Sequence, residues 1–164
     1  MFARKSSVNW RVLGALLLVS LMVGCSGKYA YRNTLAKNLH IQTETESGSF
    51  ISSVSAAVGI YRVDDKCKID YQGTVDLDEP LVSVGIPSGR PSYLVFEFAN
   101  SSFLASSRRS VSYETLLVPA PGRDYAINVS YVDDIYNVEI QESQPGETTA
   151  RDIRRKSLRS CASA

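Results

Sequence analysis

The sequence predicts an all-β fold, an antiparallel sandwich of seven or eight strands followed by a short C-terminal helix. From Asn38 onward, short runs alternate apolar and polar residues with a period of two, which is the pattern of half-buried strands. Turn-forming residues interrupt these runs at short intervals, as they do in sandwiches and barrels. After Gly146 the alternation stops, and apolar residues recur at helical spacing.

Successive alternating runs define the predicted strands. In chain order they cover residues 39–43, 54–63, 67–77, 81–86, 93–99, 111–117, 125–132 and 136–141. The third run places on one face Cys67, Ile69, Tyr71, Gly73 and Val75. In the fifth, Leu94, Phe96 and Phe98 face the core. The last two flank Asp133-Asp134 and predict a β-hairpin. This strand density is typical of transthyretin-like or immunoglobulin-like sandwiches.

The segment after the sheets, residues 148–160, is predicted to be a short basic helix. Residues at spacings of three and four form its inner stripe: Ala150, Ile153, Ser157 and Cys161. A frayed basic tail is the alternative. In either form, the candidate recognition residues of this segment are Arg154, Arg155 and Lys156. They suit anionic headgroups or an acidic partner, or else form a solvated helix face.

The N-terminus has the layout of an export signal. Basic residues precede an apolar run at 12–23, and Gly24 and Cys25 follow. The run is shorter than the ~20 residues needed to cross a bilayer. Residues 21–25, Leu-Met-Val-Gly-Cys, resemble the lipobox of bacterial lipoproteins. That resemblance implies that Cys25 begins the mature protein and carries diacylglycerol and an N-acyl chain.

The resemblance also implies a division of the chain and a location. The parts are a signal peptide at 1–24, a lipidated tether at 25–37, a β-sandwich domain at 38–146 and the basic C-terminal segment at 147–164. For the polar tether, a first edge strand is the alternative. Ser26 directly after the lipidated cysteine implies an outer-membrane protein that faces the periplasm.

The charge balance argues against a nucleic-acid partner. The full chain carries a net +1, and without Arg4, Lys5 and Arg11 the remaining 15 basic and 17 acidic residues give −2. Nucleic-acid binding calls for a clustered basic surface. We therefore expect a membrane contact through the lipid anchor, together with a protein partner in the envelope.

The cysteine count predicts one disulfide. With Cys25 assigned to lipid, Cys67 and Cys161 remain as a pair in an oxidising compartment. Two free, buried thiols are the alternative. The sequence has no CxxC spacing, and its one histidine, His40, is far from both cysteines, so no metal site is predicted.

No catalytic motif and no cofactor-binding motif occurs in the sequence. It lacks a G-x-S-x-G elbow, a P-loop and a dinucleotide fingerprint. A Ser-His-Asp arrangement would depend on His40, which lies in the first predicted strand. The acidic group Asp76, Asp78 and Glu79 offers oxygen ligands to a hard cation but lacks EF-hand spacing, and acidic residues are common at strand ends.

The predicted function is therefore a non-catalytic binding or accessory subunit of the cell envelope, serving assembly, secretion or inhibition of a toxin. The expected recognition surface is formed by the loops at 87–92, 100–109 and 119–124. The candidate recognition residues in these loops are Arg90, Arg108 and Arg109. The lipoprotein subunit of type VI secretion is similar in joining a lipid anchor to a small sandwich. The alternatives are an envelope hydrolase acting on peptidoglycan or glycan, and a purely structural lipoprotein.

Overall fold

Two packed β-sheets form the domain in the computed structural model, which describes residues 29–45, 52–102, 109–132, 135–147 and 149–163. The prediction of an all-β sandwich is confirmed. The strands are β1 (Leu39–Thr45), β2 (Ser52–Val63), β3 (Ile69–Asp76), β4 (Leu81–Val84), β5 (Ser92–Ser102), β6 (Arg109–Leu117), β7 (Asp124–Val132), β8 (Ile135–Ser143) and β9 (Arg151–Asp152). A 3-10 helix at Leu158–Ser163 follows.

The two sheets have the strand orders β4-β1-β7-β8-β9 and β3-β2-β5-β6. Every pairing is antiparallel except that of β1 with β7, which is parallel and aligns Leu39 with Tyr125. The sequence pattern does not reveal this, because apolar side chains alternate with the same period in both kinds of pairing. The predicted hairpin is formed by β7 and β8, which pair from Asp124 to Val132.

Inward side chains from both sheets form the core. The predicted residues Leu94, Phe96 and Phe98 are fully buried, and across the interlayer space so are Ile41 and Ile127. Removing an aliphatic or aromatic side chain of this size from water is worth about 1.5–3 kcal/mol. The core thus lies between the two sheets. At the edges of the sheets, other segments of the chain must shield it from solvent.

The face predicted for the third strand is wrong at its first half. Gly73 pairs with Ile60 and faces inward, but the register shifts at this point, and Tyr71 pairs with Tyr61 on the outer face. A β-bulge adds one residue and so reverses the alternation before it. Cys67 lies outside the strand altogether, with a φ of 57°, a left-handed conformation incompatible with a strand.

The predicted C-terminal helix is present only as the 3-10 helix at Leu158–Ser163, and its predicted extent, 148–160, is wrong. Before Leu158 the backbone bonds to the edges of both sheets: the Ile153 amide donates to the Ile140 carbonyl, and the Lys156 carbonyl accepts from the Leu116 amide. The loop predicted at 100–109 is shorter than expected, because β5 continues to Ser102 and β6 begins at Arg109. Residues 103–108 lie outside the described part of the chain.

Within the described ranges, no helix is long and apolar enough to cross a membrane.

Candidate functional site

A segment before the first strand, residues 29–37, lies along the side of the sandwich, and we call it the N-terminal strap. Its backbone joins the edge of β3 at Thr74. The Thr74 amide donates to the Tyr29 carbonyl at 2.8 Å, and the Tyr31 amide donates to the Thr74 carbonyl at 3.0 Å. The part of the predicted tether from Tyr29 onward is therefore hydrogen-bonded to the sandwich. Of the predicted alternative, a first edge strand, the structure contains one β-bridge, between Ala30 and Thr74. Cys25 lies outside the described residues.

The same strap also contacts the edge of the other sheet, beside β4. The Tyr31 hydroxyl donates to the Gly85 carbonyl at 2.8 Å. The Asn33 side chain donates to the Ser83 carbonyl at 2.9 Å and accepts from the Gly85 amide at 2.7 Å. A Cβ on Gly85 would lie 2.4 Å from the Leu35 carbonyl oxygen. The strap thus covers one side of the sandwich. At Gly85 its backbone comes so close that only glycine leaves room for it.

Where the strap meets β2, β3 and the loop at 87–92, it encloses a cavity of about 490 Å³. The lining contains three guanidinium groups and four phenol rings, belonging to Arg32, Arg62, Arg90, Tyr29, Tyr31, Tyr61 and Tyr71. Its other members are uncharged, so the lining contains no carboxylate. Cation-rich, carboxylate-free linings of this kind favour anionic ligands.

The three arginines differ in how far their charge is balanced. Arg62 forms a 2.6 Å ion pair with Asp70, and both side chains are more than half exposed. No ion pair to any described residue is formed by Arg32 or Arg90, both exposed. Within the described part of the chain, these two guanidinium groups therefore bring to the cavity a positive charge that no ion pair balances.

Two of the four phenols, those of Tyr31 and Tyr61, are held in the neutral form by burial. Burial raises the pKa of Tyr31. Burial also raises the pKa of Tyr61, with further contributions from Tyr71, Glu97 and Glu114. The rings of Tyr61 and Tyr71 lie 5.2 Å apart, centroid to centroid. The Tyr31 hydroxyl already donates to the Gly85 carbonyl, whereas the neutral Tyr61 phenol beside the arginines can donate a hydrogen bond to an anion, and its ring can stack on an apolar or sugar moiety.

On the opposite side, residues 153–163 form a second closing segment, the C-terminal strap. Its end is covalent: Cys67 and Cys161 form a disulfide with Cα atoms 5.9 Å apart, which confirms the predicted pairing. Leu158 and Cys161 pack on the outer face of the β3-β2-β5-β6 sheet, beside Val63 and Tyr93. Burial, followed by the hydrogen bond to Glu114, raises the pKa of Tyr93 to about 12.

Part of the predicted basic patch is used in holding this strap. The Arg155 Nε donates to the Glu114 carbonyl at 2.8 Å, and its guanidinium lies 4.9 Å from the centre of the Tyr113 ring. Lys156 docks through its backbone, whereas its side chain and that of Arg154 are exposed.

The structure brings together two of the three predicted recognition loops. Loops 87–92 and 119–124 lie at one end of the sandwich, where the Gly89 amide donates to the Pro119 carbonyl at 2.7 Å. The described residues of the third loop, 100–102 and Arg109, lie at the other end, because they end the 11-residue strand β5 and begin β6. Of the predicted cations, Arg90 lines the cavity, Arg109 begins β6 at the far end, and Arg108 lies outside the described residues. Sequence reasoning missed Arg32 and Arg62.

His40, the candidate base, lies on the outer surface of β1. Its Nδ1 is 3.0 Å from the Ser83 hydroxyl oxygen, which makes a base–hydroxyl contact of the kind that nucleophilic catalysis uses. Within the described residues no carboxylate hydrogen-bonds His40, and neither His40 nor Ser83 lines the cavity. Over the same residues, no three His, Cys, Asp or Glu side chains are grouped so as to hold a metal ion.

Comparison of the chain with protein-family models, curated proteins and solved structures found no match. The cavity and its two flanking loops are therefore interpreted from their own chemistry.

Proposed function

We propose that this protein is a lipid-anchored component of a bacterial envelope that serves as a non-catalytic binding or accessory subunit. The lipobox-like residues 21–25 support the anchor at Cys25, and Ser26 supports the periplasmic face of the outer membrane as its location. The sandwich supplies a rigid frame. Loops 87–92 and 119–124 form the surface that a protein partner contacts.

The observation that carries the proposal is the composition of the cavity. Three arginines and four tyrosines line it and can hold and orient a ligand, and its described lining residues include no His, Asp or Glu to serve as a general base. Recognition is the chemistry that such a lining performs best. The loops beside it present Arg90 and Arg123 at the same end of the sandwich.

Site-specific photocrosslinking in living cells tests this proposal. A photoreactive residue replaces Ser88, which is exposed in loop 87–92, in the full-length exported protein. The matched control is Asp78, which is also exposed and lies at the other end of the sandwich between β3 and β4. We expect a discrete protein adduct from position 88 and none from position 78. Equal adducts from both positions, or none from either, would contradict a partner-binding end.

The contact between His40 and Ser83 favours one second candidate, an envelope hydrolase acting on peptidoglycan or glycan. Hydrolysis of purified peptidoglycan by the wild-type protein, lost in both His40→Ala and Ser83→Ala while their unfolding curves stay unchanged, would favour it. Under the binding proposal neither variant changes partner capture.

A further inference from the structure

We propose that the cavity formed by the N-terminal strap binds the phosphate groups of anionic lipid headgroups, so that the domain docks on the membrane that holds its anchor. The inference rests on the proposed lipid attachment at Cys25 and adds a second, non-covalent membrane contact to it.

Chain length places the cavity near the membrane surface. Tyr29 lines the cavity and is four residues after Cys25. Because an extended chain spans at most about 3.6 Å per residue, the two Cα atoms lie within about 14 Å of each other. The strap is docked from Tyr29 onward, so the domain cannot move farther away by unravelling the strap without losing those hydrogen bonds. The cavity mouth therefore stays close to the headgroup layer.

The chemistry at the mouth matches that layer. Arg32 and Arg90 are exposed and form no ion pair with any described residue, and guanidinium groups bind phosphate oxygens in a bidentate manner. Beside them, large apolar or amphipathic side chains are exposed to solvent: Tyr29 by 51%, Leu35 by 45% and Tyr71 by 41%. Tyrosine and leucine beside cations are the residues that occupy a membrane interface. Exposing the apolar part of each of these side chains to water is unfavourable, and contact with the lipid headgroup layer removes that exposure.

The C-terminal strap lacks this combination. Arg155 is held against Tyr113 and the Glu114 carbonyl, and Leu158 is packed on the sheet. Its exposed cations, Arg154 and Lys156, provide a control of equal charge beside β6, at the opposite edge of the sheet from β3.

A tryptophan reporter measures the docking directly. The only tryptophan, Trp10, precedes Cys25, so the processed protein has no fluorescence background from this residue. Leu35→Trp places a reporter at the cavity, and Ile135→Trp places the control at an exposed site at the far end of the sandwich. Each lipidated protein is reconstituted in vesicles of phosphatidylcholine alone, or of phosphatidylcholine and phosphatidylglycerol in equal amounts. Brominated acyl chains in both serve as quenchers.

We expect the Leu35→Trp emission to shift to the blue and to be quenched only in the anionic vesicles, with Ile135→Trp unchanged. Arg32→Gln with Arg90→Gln should weaken docking about 25-fold, since one basic residue near an anionic surface is worth about fivefold. Arg154→Gln with Lys156→Gln should leave docking unchanged. Added salt should weaken it by screening.

Several outcomes would overturn the inference. They are equal quenching in neutral and anionic vesicles, retained docking in the Arg32/Arg90 variant, or loss of docking in the Arg154/Lys156 variant. A response to inorganic phosphate without vesicles would assign the cavity to a soluble anion instead. Intact mass and flotation with neutral vesicles report the anchor separately. A finding that the protein carries no lipid would contradict the proposed function. The Leu35→Trp emission of that unlipidated protein would still respond to added anionic vesicles if the inference about the cavity is right.

Discussion

The two sides of the sandwich are closed by two terminal straps that are held in different ways. The N-terminal strap is held by hydrogen bonds, to Thr74 on one sheet and to Ser83 and Gly85 beside the other, and by the packing of Tyr31 against the core, and its described residues form no disulfide. The C-terminal strap is held by a disulfide as well as by hydrogen bonds and packing. The covalent strap commits Arg155 to Tyr113 and Glu114 and leaves Arg154 and Lys156 exposed, whereas the hydrogen-bonded strap leaves Arg32 exposed beside a cavity. One side is built for stability and the other for contact.

The largest difference between the straps should appear when the disulfide is removed. Cys67→Ala with Cys161→Ala opens a loop of 94 residues' separation. In the chain-entropy account, a cross-link of this span is worth about 4.7 kcal/mol. Urea unfolding of the oxidised wild type and the double variant measures the difference in free energy of unfolding. A loss below about 1 kcal/mol would mean that the C-terminal strap does not depend on its covalent bond.

The N-terminal strap should be displaced by one methyl group. Gly85→Ala places a Cβ 2.4 Å from the Leu35 carbonyl oxygen and 2.7 Å from that of Ala36, so the strap must move away. Overpacking of this kind costs about 1–3 kcal/mol. Limited trypsin digestion should cut faster after Arg32 and Lys37. Gly59→Ala is the control, since its Cβ would lie 3.2 Å from the movable Tyr61 ring. Equal digestion of both variants would refute the close contact at Gly85.

Acid should weaken the pairing of β8 with β9, just before the C-terminal strap. The hydrogen bond from Tyr125, followed by that from Arg151, holds the pKa of Glu142 below its ordinary value. Its contribution to stability is therefore present above the unfolded-state pKa of about 4.3 and is lost as pH falls through the lower folded-state pKa. Glu142→Gln should cost about 1–2 kcal/mol at pH 7. Unfolding curves of the two proteins should converge at acid pH. A constant difference across the range would contradict this role.

The smallest effect should come from the cation on the C-terminal strap. Arg155→Ala removes the contact with Tyr113 and the hydrogen bond to Glu114 and should cost about 0.5–1 kcal/mol. Arg154→Ala, an exposed neighbour with no such contacts, should change nothing measurable. Thermal unfolding of both variants decides whether the Arg155 side chain stabilises the fold or, like that of Arg154, contributes nothing measurable to stability.

The sequence was sufficient where side-chain burial is periodic. Leu94, Phe96 and Phe98 were placed in the core because a strand with one buried face alternates strictly. The disulfide followed from assigning the third cysteine to lipid. The bulge that turns Tyr71 outward was not predictable, because the extra residue interrupts the alternation without a distinctive residue of its own.

The straps escaped prediction for a different reason. The N-terminal strap is held through backbone groups and polar side chains such as Asn33, which leave no apolar period in the sequence. The residue in the sequence that most directly reflects the strap is Gly85, because the absence of a side chain there makes room for the strap. A glycine in a sequence, however, does not indicate which segment approaches it. The cavity joins Arg32, Arg62 and Arg90, which are about 30 residues apart and meet only when the strap docks.

Intact mass spectrometry of the protein extracted from the membranes of a bacterium that exports it tests the central claim most directly. We predict a chain of residues 25–164 that carries the diacylglycerol and acyl additions and lacks two hydrogens for the bond between Cys67 and Cys161. The Cys25→Ser variant should accumulate unprocessed. A wild-type chain that starts elsewhere, or one whose Cys25 is unmodified, would contradict the lipid anchor and remove the reason for placing the cavity at a membrane.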